Sequence, residues 1–140
     1  MRIPEEMRQD LLALINTNFT GMVEQMMTLL LPETVDPELK QWLTTKAAGQ
    51  ERAPAIGLFR DLTALDLVPA FKEAGAPVRC VNSSGGYAMF RPTEIETNRK
   101  YADFDAVLIP DIGHYPMLEN PSEFNRKLRE VLNDLSTKRR

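Results

Sequence analysis

Cysteine and histidine each occur only once in this chain of 140 residues, as Cys80 and His114. A single cysteine excludes an intrachain disulfide framework and any metal site built from several cysteines. The single histidine argues against a zinc site as well, because such sites draw several ligands from these two residue types. We therefore expect no metal and no cofactor. Cys80 falls in a predicted strand, which favours a buried and inert thiol.

The sequence also lacks long apolar runs and a strong excess of charge. Its apolar stretches are far too short to span a membrane, and its first residues lack the pattern of a secretory signal. The net charge is -3 and the isoelectric point is near 5.2, which argues against nucleic acid as a partner. We therefore expect a cytoplasmic protein that binds neither membranes nor nucleic acid.

Amphipathic helices fill the first half of the chain. Apolar residues recur at spacings of three and four over 4–31, which predicts one long helix or two helices that separate near Thr20–Gly21. A kink at Asn16–Asn18 is a further interpretation, because these residues are polar and weak helix formers. Asp36 and Pro37 have the N-cap and first-turn character of a helix start. The apolar face of that helix consists of Leu39, Trp42 and Leu43. The remaining helical segments of this half are 55–66 and 67–74.

The second half alternates strands with helices. Predicted strands at 76–83 and 104–109 flank a predicted helix at 92–101, an order typical of a right-handed parallel β-α-β unit. The last helix begins at Asn120-Pro121, which carries N-terminal capping signals. Its apolar stripe consists of Phe124, Leu128, Val131, Leu132 and Leu135.

The single histidine lies in a loop between the second strand and the last helix. The run 104–109 leads into Gly113-His114-Tyr115-Pro116, and Asn120-Pro121 follows. A loop framed by glycine and proline, with rigid elements on both sides, can present an imidazole to a site. The alternative is an exposed loop histidine without a role.

This segment resembles the C-terminal end of the α/β-hydrolase family. In that family the histidine of the Ser-His-acid triad follows the last strand, and a Glu-x-Pro-x-x-Phe segment, matched here by Glu119–Phe124, opens the last helix. The strand at 76–83 resembles the penultimate strand, and the resemblance covers Leu58–Leu135. It implies an α/β fold with a helical cap-like segment over 1–54 and a hydrolase-like segment over 55–140, within one structural domain overall.

The family's nucleophile segment, Gly-x-Ser-x-Gly, is absent, and so is the oxyanion-loop signature that precedes it. We therefore expect a chain that corresponds to the cap and the C-terminal half of the family, without the N-terminal half. Val78, Cys80 and Val81 would then lie on an open apolar strand edge. A homodimer or higher oligomer, formed through this edge or by helix exchange, is expected to complete the fold. An N-terminal partner chain is the alternative.

The resemblance implies that His114 acts as a general base. In the family the triad acid follows the penultimate strand, but no carboxylate occurs over 74–93. Asp61 and Asp66 lie before the first strand, and Asp66 is the candidate acid, since some family members carry the acid elsewhere. Asp111 is interpreted as a turn residue, and Glu119 as an acceptor for backbone amides of the histidine loop.

Ser83 and Ser84 occupy the place of the missing acid. A serine–histidine pair with His114 is one interpretation, in which Gly85 and Gly86 let backbone amides approach a developing oxyanion. A plain turn is the other, because these residue types dominate turns for conformational reasons.

Two functions remain open on the sequence alone. The first is hydrolysis of small or medium acyl esters with His114 as base and with Ser84, Ser83 or a serine on a missing half as nucleophile. The second is a catalytically silent module that binds an apolar ligand or a partner chain. The candidate substrate pocket consists of Met22, Met26, Tyr87 and Tyr115. Met22 and Met26 could equally pack in the core, since methionine adapts to irregular spaces.

Overall fold

The computed structural model describes residues 4–84 and 94–137. Within these ranges the chain forms eight helices and two strands. The helices are α1 (Glu5–Thr17), α2 (Phe19–Leu30), α3 (Pro37–Ala48), α4 (Arg52–Ala64), α5 (Leu67–Glu73), α6 (Ile95–Arg99), α7 (Pro116–Glu119) and α8 (Pro121–Thr137). The strands are β1 (Val78–Ser83) and β2 (Phe104–Ile109). No helix in the described ranges is both long enough and apolar enough to cross a membrane.

The contacts divide the chain into two units. The first unit contains residues 1–29 and 37–67, and the second contains residues 30–36 and 68–140. The domain boundary expected after residue 54 stays a prediction.

In the first unit, Asn18 separates α1 from α2. Its amide makes the last helical bond of α1, to the carbonyl of Leu14 at 2.9 Å, and its φ of -138° then ends that helix. Its Oδ1 accepts the amide hydrogen of Gly21 at 3.1 Å and so caps α2. The kink expected at Asn16–Asn18 is confirmed. The prediction of two helices is confirmed, but they separate at Asn18 rather than at Thr20–Gly21, which lies inside α2.

The core of the first unit is formed mainly by α2. Its buried side chains are those of Ile15, Phe19, Met22, Val23, Met27 and Leu43. Met26, the second candidate pocket residue on this helix, is half-buried. Burial of Met22 and Met27 fits the core-packing interpretation of the methionine stripe.

The starts of α3 and α4 differ in how well the sequence predicts them. The helix that begins at Pro37 after Asp36 is confirmed, but its Trp42 is 50% exposed rather than part of the apolar face. The helix expected from residue 55 begins earlier, at Arg52. Pro54 is tolerated there because first-turn amides have no partner inside a helix.

In the second unit, β1 and β2 pair in parallel. The register runs from Val78 opposite Phe104 to Ser83 opposite Ile109. The pairing begins at Val78 because its amide donates to the carbonyl of Asp103 at 2.8 Å, whereas the preceding Pro77 has no amide hydrogen. The β-α-β order with parallel strands is thus confirmed.

Helices cover this small sheet. α8 packs against both strands, and α6 packs against β2. Asn120 caps α8 through a hydrogen bond from the amide of Glu123 to its Oδ1 at 3.1 Å, as its sequence signals predict. In the apolar stripe of α8, however, Leu132 is 52% exposed. The helix expected at 92–101 is shorter in the structure, where α6 occupies Ile95–Arg99 and residues 92–93 lie outside the described ranges.

Candidate active site

The carboxyl end of β2 leads directly into the histidine loop. Ile109 is buried at the end of the strand, and Asp111 turns the chain with a φ of 56°. Aspartate tolerates this left-handed conformation better than most residues. Asp111 is also exposed, so its interpretation as a turn residue is confirmed.

Three consecutive amides of this loop are hydrogen-bonded. The amide of Gly113 donates to Oε2 of Glu119 at 2.7 Å, and that of Tyr115 donates to Oε1 of the same carboxylate at 2.9 Å. Between them, the amide of His114 donates to the carbonyl of Leu30 at 2.8 Å. The backbone of His114 is therefore fixed on both sides, and the prediction that Glu119 binds loop amides is confirmed.

Gly113 allows the loop to approach the segment after α2. A Cβ atom built on Gly113 would lie 2.6 Å from the carbonyl oxygen of Leu30 and 2.5 Å from Cδ of Pro32. It would also lie 2.9 Å from Oε1 of Glu119. Only glycine leaves the space that this packing needs.

The imidazole of His114 is exposed, although its backbone is fixed. Its ring meets the ring of Tyr115 edge to face, with centroids 5.3 Å apart and planes at 85°. Burial raises the pKa of the Tyr115 phenol, and the negative charge of Glu119 raises it further. The loop thus presents one ring to solvent beside one half-buried aromatic side chain.

The end of β1 contacts the same loop. Oγ of Ser83 donates to the carbonyl of Ile112 at 2.5 Å, and the amide of Ser84 donates to the carbonyl of Ile109 at 2.8 Å. A hydroxyl has one hydrogen to donate, so this bond directs that of Ser83 toward the loop backbone. The structure therefore brings both serines to the segment that carries His114.

The other predicted site residues lie elsewhere or outside the described ranges. Asp66 follows α4 in the first unit, where Met22 and Met26 lie on α2. Tyr87 is outside the described residues, as are Gly85 and Gly86. In the described part of the chain, no group of three or more histidine, cysteine, aspartate or glutamate side chains is arranged to hold a metal ion.

Two residues that shape the loop, Leu30 and Pro32, carry no recognisable signal in the sequence. Leu30 acts through its backbone carbonyl, which every residue has, and Pro32 acts through its proximity to Gly113. Such contacts depend on how distant segments meet, so residue type alone does not reveal them.

The described residues include two surface grooves that are lined neither by His114 nor by Ser83 and Ser84. One, of about 600 Å³, lies between α1 and α4 in the first unit. The other, of about 220 Å³, lies between the sheet and α8 and includes Cys80. Cys80 is half-buried rather than fully buried, and burial raises the pKa of its thiol.

No protein-family model matches the sequence. A search of curated proteins found no match either.

Among solved structures, the chain is similar to a thermophilic esterase from Thermogutta terrifontis, determined with malate bound. The TM-score is 0.77 at 18% sequence identity, over 96% of this chain and 52% of the esterase chain. It is also similar to a membrane phospholipase A described as a bacterial virulence factor, with a TM-score of 0.56 at 17% identity, over 84% of this chain and 39% of that one.

The chain therefore spans about half the length of the esterase and less of the phospholipase. At such low identity the likeness concerns the fold alone. The fold is compatible with part of an α/β hydrolase, as the resemblance around His114 implies.

Proposed function

We propose that this chain takes part in the hydrolysis of small or medium carboxylic esters, with His114 as the general base. The observation that supports it best is the loop itself, in which three consecutive amides are bonded while the imidazole stays exposed. A general base needs a ring held in place on a stiff backbone, at a position that a substrate can reach. The similarity to the fold of an esterase agrees with this role.

Ser84 is the candidate nucleophile of this chain. It directly follows β1, whose end contacts the histidine loop, and the hydroxyl of its neighbour Ser83 already donates to Ile112. In the proposed reaction, Oγ of Ser84 bonds to the ester carbonyl carbon while its proton passes to His114. The imidazolium then protonates the leaving alcohol, and water releases the acid from the acyl-serine. Asp66 stays a prediction for the group that orients the ring.

The test is labelling of the folded full chain with a fluorophosphonate probe, together with turnover of a nitrophenyl butyrate ester. We expect an adduct on Ser84 and turnover at least tenfold above that of His114→Ala and Ser84→Ala, with Ser83→Ala close to wild type. Far-UV circular dichroism checks that each variant is folded. Equal turnover in wild type and His114→Ala overturns the proposal, and an adduct on any other residue overturns the assignment of Ser84.

We also propose that the chain forms a homodimer. Among the described residues β1 pairs only with β2, and all six of its residues are half-buried. An unpaired strand edge with apolar side chains such as Val78 and Val81 favours pairing with a second copy. Light scattering after size-exclusion chromatography is expected to give twice the chain mass. A monomer at micromolar concentration contradicts the dimer.

A catalytically silent binding module is the second candidate function. Leu58, Leu62 and Leu65 recur along one side of α4 and its end, with exposed fractions of 72%, 66% and 50%. Exposed leucines at helical spacing are typical of a surface that another protein covers. Absence of His114-dependent turnover in a folded sample would favour this function over the first.

A further inference from the structure

A groove between α1 and α4 combines an apolar floor with two arginines. α1 packs against α4 in the first unit, and the groove between them has a volume of about 600 Å³. Pockets for small ligands commonly have volumes of this order. The lining residues are Leu12, Asn16, Arg52, Ala53, Ile56, Gly57 and Arg60.

Gly57 opens the floor of this groove. A Cβ atom built on Gly57 would meet no other atom within 4 Å, so the side chain that glycine lacks would project into open space. Leu12 and Ile56 line the same groove and are half-buried. An apolar chain lying over Gly57 would contact both of them and lose water from its surface.

The two arginines are not equivalent. Nε of Arg60 donates to Oδ1 of Asp61 at 3.0 Å, so a neighbouring carboxylate offsets part of its charge. Arg52 has no ion pair with any residue of 4–84 or 94–137. Its planar guanidinium matches a carboxylate in geometry and in charge. The Arg52 end of the groove therefore favours an anionic group by charge complementarity.

We infer that this groove binds a medium-chain monocarboxylate, with the carboxylate on Arg52 and the alkyl chain across Gly57 toward Arg60. Arg60 follows Arg52 by eight positions, which is about 12 Å along the helix axis and suits an alkyl chain of about ten carbons. The site contains no residue of the histidine loop, so it does not depend on the proposed ester hydrolysis.

The test is isothermal titration of the folded full chain with decanoate, and with decanol as the uncharged control ligand. We expect one decanoate per chain. Arg52→Gln should weaken decanoate binding about tenfold and leave decanol binding unchanged, because it removes the charged hydrogen bonds alone. Arg60→Gln is the matched control, with an effect of about twofold or less, since Arg60 lies at the end reached by the alkyl chain and already pairs with Asp61.

Gly57→Leu fills the groove without endangering the fold. Leucine is a better helix former than glycine, and far-UV circular dichroism checks that the variant is folded, so loss of binding is attributed to the filled groove. We expect decanoate and decanol both to bind at least tenfold more weakly. Unchanged binding in Gly57→Leu, equal effects of Arg52→Gln and Arg60→Gln, or no decanoate binding each overturns the inference. His114→Ala is expected to bind decanoate as tightly as wild type does. Its titration therefore tests the groove independently of the proposed ester hydrolysis.

Discussion

Glu119 accepts the amide hydrogen of Gly113 at 2.7 Å, and its second carboxylate oxygen accepts that of Tyr115 at 2.9 Å. One side chain thus bonds the backbone on both sides of His114. A carboxylate that binds two amides stabilises a loop more than neutral acceptors do. These two hydrogen bonds make Glu119 a positioning residue for the imidazole. Loss of the carboxylate should loosen the histidine loop more than the rest of the fold.

We expect Glu119→Ala to lower the free energy of unfolding by about 2 kcal/mol, because two loop amides lose a charged acceptor. Glu119→Gln should cost less, since the amide side chain keeps one acceptor oxygen. Urea unfolding measures both, and hydrogen exchange at Gly113 and Tyr115 should accelerate. Glu24→Ala, at an exposed position of α2, is the matched control and should change stability little. Equal losses in Glu119→Ala and Glu24→Ala would contradict the role of the carboxylate.

Gly113→Ala should destabilise the protein by about 2 kcal/mol, because the added methyl group overpacks the contact with Leu30 and Pro32. The matched control is Gly57→Ala, where the methyl group meets nothing within 4 Å. In the control, higher helix propensity should stabilise the fold by about 0.5 kcal/mol or more. Thermal unfolding of both variants should therefore give shifts of opposite sign. Shifts of the same sign would refute the packing at Gly113.

Asn120→Ala should lower stability by about 1 kcal/mol, because α8 loses the side-chain acceptor for the amide of Glu123. Asn125→Ala, on the exposed side of the same helix, should be neutral or slightly stabilising, since alanine is the better helix former. Chemical denaturation of the two variants distinguishes loss of the N-cap hydrogen bond from the general effect of replacing asparagine with alanine. Loss of stability in Asn125→Ala alone would contradict the assignment of Asn120 as the N-cap of α8.

The Tyr115 phenol should make stability fall at alkaline pH. Burial and the charge of Glu119 raise its pKa above the ordinary value of 10.0, so the folded chain holds this proton more tightly than the unfolded chain. Its contribution is fully present below about pH 10 and is lost as pH rises through the folded pKa. Unfolding measured from neutral to alkaline pH should show a steeper fall in wild type than in Tyr115→Phe. An equal fall of stability with pH in wild type and Tyr115→Phe would contradict the raised pKa of Tyr115.

Cys80 should react slowly with thiol reagents, because burial raises its pKa and lowers its thiolate fraction. Because Cys80 is the single cysteine of the chain, the absorbance released by an aromatic disulfide reagent measures the reaction of this residue alone. The urea-unfolded chain is the control and should react faster at the same pH. Equal rates would show that the folded protein does not shield the thiol.

Local signals in the sequence were sufficient for several features. The strand at 104–109 and the cap at Asn120 involve residues close together in the chain, whereas the role of Glu119 is implied by the resemblance around His114. Side-chain hydrogen bonds to nearby amides and runs of apolar residues are fixed by short-range geometry, so residue type and spacing predict them. The resemblance around His114 added the expectation of a hydrolase-like fold.

Exposure was harder to predict, as Trp42 and Leu132 show. Both were expected on apolar helix faces, and both are about half exposed. Helical spacing predicts which residues share a face, but neighbouring segments determine how much of that face is covered.

The sequence by itself determined the order of helices and strands, the parallel β-α-β unit and a fixed loop around the single histidine. Only the tertiary structure decided that Leu30 and Pro32 pack on Gly113, that Ser83 bonds to Ile112, and that α1 and α4 leave a groove over Gly57. The physical reason is that backbone carbonyls and small gaps occur throughout a chain. Which of them meet depends on how distant segments pack, and spacing along the sequence carries no record of that.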